Sequence, residues 1–196
     1  ETRDLLEFLR VESPDADAEP PWQPMFGTTT MDGWTGGAGN FAIEDGILVG
    51  RASGLAENVY CLTNEEHGDF EAEFDVRITR GGNSGFAYRA RRDGETGEPS
   101  GYQADIGQVY WGSIYADGRG LIHEANPNAW RAAVDVAGWN HYFVRVVGDR
   151  HVVEVNGSVL ADIRDASAAM GSIGFQAHVG LEMEVRIANA RIRLVR

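Results

Sequence analysis

Along residues 69–78, "DFEAEFDVRI", apolar and polar positions alternate without a break. Phe70, Ala72, Phe74 and Val76 fall on one side; Glu71, Glu73, Asp75 and Arg77 fall on the other. A period of two marks a strand with one face buried. "NSGFAYRA" repeats the pattern, with Phe86 and Tyr88 opposing Asn83, Gly85, Ala87 and Arg89. So does "GSIGFQAH", with Ile173, Phe175 and Ala177 opposing Gly174, Gln176 and His178. "FAIEDGILVG", "GYQADI", "HYFVRVVGDRHVVEVNGSVLADIRD" and "MEVRIANARIRLV" are alternating or β-branched as well. Asp45-Gly46, Gly148-Asp149 and Asn156-Gly157 are two-residue hairpin turns between such runs. Short strands at this spacing from Phe26 onward, with no helical period between them, predict an all-β antiparallel sandwich or barrel. Phe70, Phe74, Phe86, Ile106, Val144 and Phe175 are the expected core, and Trp34 and Trp139 are read as core too.

The first 25 residues read differently. "TRDLLEFLR" has a capping Thr2 and an apolar stripe of Leu5, Leu6, Phe8 and Leu9, which predicts a short helix. "VESPDADAEPPWQP" comes next, acidic and rich in proline, and reads as a linker. Residues 1–25 are therefore expected to be a helix and linker, the tail of a preceding fused domain being the alternative. Residues 26–196 are expected to form one domain.

Composition removes several classes of function. A net charge of −13 argues against nucleic acid, whose phosphates need clustered cations. All 17 basic residues are arginine, which excludes the lysine of a Walker A loop and any Schiff base. No run of 18 apolar residues exists to span a membrane. Cys61, the only cysteine, excludes an intramolecular disulfide and reads as a small buried hydrophobe. His67 beside Glu65 and Glu66 reads as a polar turn, and "GGNSG" departs from G-x-S-x-G, making Ser84 a turn residue.

"GYQADIGQVYWGSIY" raises the functional question. Tyr102, Ala104 and Ile106 suit a core, yet Gln103 and Asp105 project together from the opposite face, with Trp111 and Tyr115 close behind. Asn83, Arg89, Gln176 and His178 on polar faces of other strands, and Glu73 on its own, make a chemical set richer than solubility requires. Trp111 fits either a sugar-stacking platform or a core plug.

These blocks resemble the 3-keto-disaccharide hydrolase family, formerly DUF1080. The similarity runs in order through "MFGTTTMDGWTGGAGNFAIEDGILVG", "HGDFEAEFDVRITRGGNSGFAYRAR", "GYQADIGQVYWGSIY", "GWNHYFVRVVGDRHVVEVNG" and "GSIGFQAHVGLEMEVRIANARIRLV". The resemblance implies a concanavalin A-like jelly roll with a carbohydrate site in a concave groove. It also implies a bacterial, exported protein, periplasmic or extracellular. Two positions depart from the family pattern: Gln103 stands where a Glu is usual, and Asp105 where an amide is usual.

The implied chemistry is cleavage of 3-keto-glycosides, in which the ketone acidifies the C2 proton so that elimination can expel the C1 substituent before water adds. This needs a base, a group on the enolate oxygen and an acid. On this reading His178 is the leading base, Arg89 the oxyanion or hydroxyl contact, and Asp105 or Glu73 an acid, a base or the ligand of a divalent metal. Asn83, Gln103, Trp111, Tyr115 and Gln176 are the expected oligosaccharide or glycoside contacts. A carbohydrate-binding jelly roll without catalysis is the alternative. A two-carboxylate glucanase is a third reading, but "EAEFDVR" lacks the E-x-D-x-x-E spacing.

Overall fold

The computed structural model describes residues 19–37, 39–79, 81–92, 97–116, 118–180 and 182–195. The expected helix at 2–10 and the start of the linker lie outside the described residues. The folded part begins ahead of Phe26: β1 (Gln23–Pro24) pairs with Ile192 and Arg191, and Met25 is buried.

Fourteen further strands succeed it among the described residues. They are β2 (Trp34–Thr35), β3 (Phe41–Glu44), β4 (Ile47–Ala52), β5 (Val59–Thr63), β6 (Phe70–Ile78), β7 (Asn83–Arg91) and β8 (Ser100–Gly107). Then come β9 (Ile114–Ala116), β10 (Gly120–His123), β11 (Asn140–Val147), β12 (Arg150–Val155), β13 (Ser158–Arg164), β14 (Ser172–Ala177) and β15 (Met183–Leu194). They form two antiparallel sheets, one ordered β13-β12-β11-β6-β15-β4-β3 with β1 on β15, the other β10-β9-β8-β7-β14-β5-β2. The alternation explains why they stack. Each inner face is apolar, and packing the two together removes both from water. Phe74 sits at the centre, with ring centroids 5.2 Å from Phe86, 5.3 Å from Phe175 and 5.3 Å from Tyr142. All six expected core residues are buried completely, each worth about 1.5–3 kcal/mol in removed apolar surface. Cys61 faces this core, and burial pushes its thiol up to about 12.

The three hairpins form as their residues dictate. Asp45, Gly46, Gly148, Asn156 and Gly157 all adopt positive φ at the predicted turns, the twist that short antiparallel connections require. A helix, α1 (Pro127–Ala133), interrupts the β pattern unexpectedly. Its signal is local: Asn126 Oδ1 accepts from the backbone of Asn128 and Ala129, and Pro127 occupies the first turn, where no amide hydrogen is needed. Two other expectations fail. Trp139 is 42% exposed, beside the loop after α1. Ser84 is a fully buried strand residue, donating through Oγ to the Gln176 carbonyl at 2.7 Å. His67 is buried as well, its backbone paired with Gly171.

Arg89 departs from its expected face. Strict alternation puts it outward with Ala87, but β7 carries a bulge between Tyr88 and Arg91, and Arg89 itself has φ +45°. An extra residue in one strand shifts the alternation and reverses the face of the residues beyond it. The guanidinium turns inward, 1% exposed, and donates to the carbonyls of Gly68 (3.1 Å), Gly148 (2.8 Å) and Ala168 (3.0 Å) and to Asp69 (2.9 Å). Gly101 and Gly171 make room for the bulge, since a Cβ at either would lie 2.4 Å from the Arg89 backbone. Arg89 is thus a clamp holding three loops. Arg89→Ala removes the side-chain donor from three carbonyls and leaves Asp69 with the Gly148 amide, so it should lower unfolding free energy by about 3–5 kcal/mol in urea titrations. An unchanged urea midpoint would return Arg89 to the pocket as a candidate substrate contact.

Candidate carbohydrate site

The outer face of the sheet containing β8 holds the site. On β8, Tyr102, Ala104 and Ile106 are buried inward, and Gln103 and Asp105 project outward, as their spacing predicts. Gly85 on β7 is the register partner of Asp105. A Cβ there would lie 2.2 Å from Gln103 Cδ, so Gln103 fills the space that Gly85 leaves and lies across β7. This brings it to Gln176 on β14, which is the register partner of Tyr60 on β5.

A continuous hydrogen-bonded chain results. Gln103 Nε2 donates to Asp105 Oδ1 at 2.8 Å and to Gln176 Oε1 at 3.4 Å; Gln176 Nε2 donates to the Tyr60 hydroxyl oxygen at 2.7 Å. All four side chains are more than nine-tenths buried, yet they line an open pocket of about 300 Å³. Gln103 Oε1 has no partner among the described residues. A buried amide oxygen without a donor is costly, and this one is closed to solvent although its residue lines the pocket.

Asp105 is the most perturbed group of the pocket that titrates near neutrality. Burial raises its carboxyl to about 7, and the Gln103 hydrogen bond only partly opposes that. Its backbone is held from beneath by the Tyr142 hydroxyl, which donates to the Asp105 carbonyl at 2.9 Å. His178 stands just past β14 at the rim, half-buried, with Nδ1 2.6 Å from the Val179 carbonyl. Nδ1 therefore carries hydrogen, and Nε2 is the ring nitrogen left to act. Asn58 braces the same turn. Its Oδ1 accepts from Val179 N at 2.8 Å, and its Nδ2 donates to Glu98. Asn83, Tyr110, Tyr115 and Leu121 complete the wall.

The structure therefore brings together Asp105, Asn83, Gln103, Tyr115, Gln176 and His178. It separates three others. Arg89 is the internal clamp described above. Trp111 is 2% exposed and packs near Tyr142 at 6.4 Å between centroids, which makes it the core plug. Glu73 lies on β6, in the other sheet, because β6 pairs with β11 and β15. There Arg191 Nε donates to it at 2.6 Å, while Glu71 pairs with Arg145 and Arg193, and Asp75 with His141 and Asn189. This ladder also removes the carboxylates of the glucanase reading from the pocket. Asp105 and Glu73 cannot share a cation, and no group of three or more His, Cys, Asp or Glu among the described residues could hold one.

Tyr60, Asn58 and Glu98 escaped the sequence analysis. Tyr60 was legible: with Cys61 inward, a period of two sends Tyr60 and Leu62 outward. Glu98 lies in "RDGETGEPS", a stretch whose sequence has no periodicity to read.

The sequence model of the 3-keto-alpha-glucoside-1,2-lyase-like domain family matches residues 21–193. No curated protein matches. Among solved structures, a candidate glycosyl hydrolase from Parabacteroides distasonis superposes with a TM-score of 0.70 at 17% identity, covering 89% of this chain and 94% of its own. The carbohydrate binding module CBM66 from Bacillus subtilis gives 0.63 at 20% identity, covering 84% and 97%. A Bacillus subtilis protein of unknown function with a galectin-like fold gives 0.65 at 14%, covering 91% and 98%. At these identities the structures establish the sandwich alone. The family match spans nearly all of the described sequence, and the chain belongs to the 3-keto-alpha-glucoside-1,2-lyase-like family.

Proposed function

We propose that this protein cleaves 3-keto-glycosides, including 3-keto-disaccharides, by elimination and hydration. The observation that carries the reading is the buried Asp105 carboxyl, poised near neutrality at the floor of a hydroxyl-accepting pocket. A pocket that only binds sugar has no use for a carboxylate whose ionised form is disfavoured; a base does. This exchanges the roles expected at first: Asp105, deep and basic when ionised, takes the C2 proton, and His178 at the rim serves the leaving oxygen.

Each step balances in protons and electron pairs. Asp105 accepts H2 as a proton, the C2–H pair forms C2=C3, and the ketone becomes an enolate. As the ketone re-forms, the pair moves to C1=C2 and the C1–O bond breaks, the leaving oxygen taking the Nε2 proton of His178, which enters the cycle as the imidazolium with its Nδ1 hydrogen on the Val179 carbonyl. Water then adds its oxygen to C1 while Asp105 returns a proton to C2 and His178 recovers one from the water. A non-catalytic carbohydrate-binding role is the second reading, favoured by the amide and phenol side chains that line the open pocket, which suit bound hydroxyls with or without chemistry.

A 3-keto-glucoside should be turned over, and the unoxidised glucoside should be inert because its C2 proton is not acidic. His178→Ala should lower kcat by roughly 10² to 10⁴. Brisk cleavage of the unoxidised sugar would sink the proposal, and sugar binding with no turnover of either would favour the binding role.

Asp105→Asn should abolish turnover too, while doing the opposite to stability. Between the ordinary value of 3.8 and the folded value of about 7, the unfolded chain releases this proton and the folded chain keeps it. Stability from this group therefore falls as pH rises through that window, by about 4 kcal/mol once pH exceeds 7. The variant should melt higher than the parent at pH 8, with the advantage shrinking towards pH 5. In the parent, kcat/KM should rise through about pH 7. A pH-independent difference in melting would show that Asp105 is not buried as described.

A further inference from the structure

Removing Arg89 from the pocket leaves the enolate oxygen of the proposed reaction without a partner. The polarity of the buried chain supplies one. An ionised carboxylate can only accept, so Gln103 must turn its amide nitrogen towards Asp105. That nitrogen's second hydrogen meets Gln176 Oε1. Gln176 is then oriented in turn, with its nitrogen donating to the Tyr60 oxygen. The direction set by Asp105 passes through two glutamines and arrives at a phenol that already receives a hydrogen bond.

The Tyr60 hydrogen must therefore point elsewhere. An amide nitrogen that donates to the phenol oxygen cannot also accept the phenol's hydrogen. Tyr60 lines the pocket with Asp105 and His178. Burial first, and the charge of Glu98 second, hold its phenol well above the ordinary range. It stays protonated and is a donor throughout the working range of pH.

We infer that Tyr60 donates its hydroxyl hydrogen to the C3 ketone oxygen of the substrate, and holds that oxygen while it is an enolate, an assignment that rests on the 3-keto-glycoside reading above. The base and the donor are then the two ends of one hydrogen-bonded chain. Asp105 must be ionised to accept the C2 proton, and the same ionisation orients Gln103 and Gln176 so that Tyr60 faces the substrate. The hydrogen bond strengthens as charge develops on the ketone oxygen, so it acts on the transition state more than on binding.

The test uses methyl 3-keto-α-glucoside in D2O and tracks loss of the C2 proton by NMR alongside release of methanol. Tyr60→Phe keeps the ring in its packing and removes only the hydroxyl. Proton exchange and kcat should both fall by about 10² to 10³, the usual loss on removing one oxyanion donor, with KM changed little. Gln176→Glu keeps Tyr60 but offers it an acceptor in place of a donor, turning its hydrogen away from the substrate. A comparable loss is expected there, and the pair of results separates donation from packing. Exchange at the parent rate in either variant would overturn the assignment while leaving the 3-keto-glycoside reading intact. A parent protein that neither exchanges the C2 proton nor releases methanol would overturn both.

Discussion

The pocket depends on one missing atom. Without a Cβ at Gly85, Gln103 lies flat over β7 and reaches the neighbour of its neighbour in the sheet. Cross-strand side-chain contacts normally link adjacent strands; here the link runs from β8 across β7 to β14 and on to β5. A methyl group at position 85 would occupy the place of the Gln103 side-chain amide. The chain would then end at Asp105, which would lose its one side-chain donor among the described residues. The chemistry of four strands thus hangs on the smallest residue of the block "NSGFAYRA".

A polar chain buried this deeply is tolerable because almost every member is satisfied and the layer beneath is dense. Ser84, Tyr142 and Ser113 all hold the backbone of the same strands: Ser84 binds the Gln176 carbonyl, Tyr142 the Asp105 carbonyl, and the Ser113 carbonyl accepts from Asp105 N. The rotamers above are fixed from below, which is the rigidity a pre-organised site needs. The opposite sheet solves a different problem. Its outward carboxylates Glu71 and Glu73 are matched with arginines of β11 and β15. The same carboxylate chemistry therefore serves solvation on one sheet and reaction on the other, according to whether a cation stands beside it.

Much of this was legible in the alternation of residues 69–78, 83–88, 101–106 and 172–177. Those patterns carry the sandwich, its core and the outward Gln103, Asp105, Asn83 and Gln176. Glu73 was misplaced because periodicity tells which face a residue occupies but not which sheet its strand joins; that is decided by long-range pairing with β11 and β15. Arg89 was misplaced because a bulge shifts the period by one residue, and the bulge is marked only indirectly, by Gly101 and Gly171 far away in sequence. Trp111 shows the limit of composition: an aromatic near a groove and an aromatic in a core look the same until the turn at Gly112 directs the chain. The helix α1 and the exposed Trp139 belong to a connection, where local capping outweighs the strand pattern around it.

Cys61 turns the architecture into its own reporter. The thiol lies on β5 with its back to Tyr60, sealed in the core and held in its unreactive protonated form. A thiolate-seeking reagent can reach it only when the seam around β5, which lies between β14 and β2, opens. With a single cysteine in the chain, the labelling rate measures how often that one seam opens. The seam carries Gln176 and Tyr60 on its outer side, so a slow alkylation clock on the dry face times the breathing of the wet one.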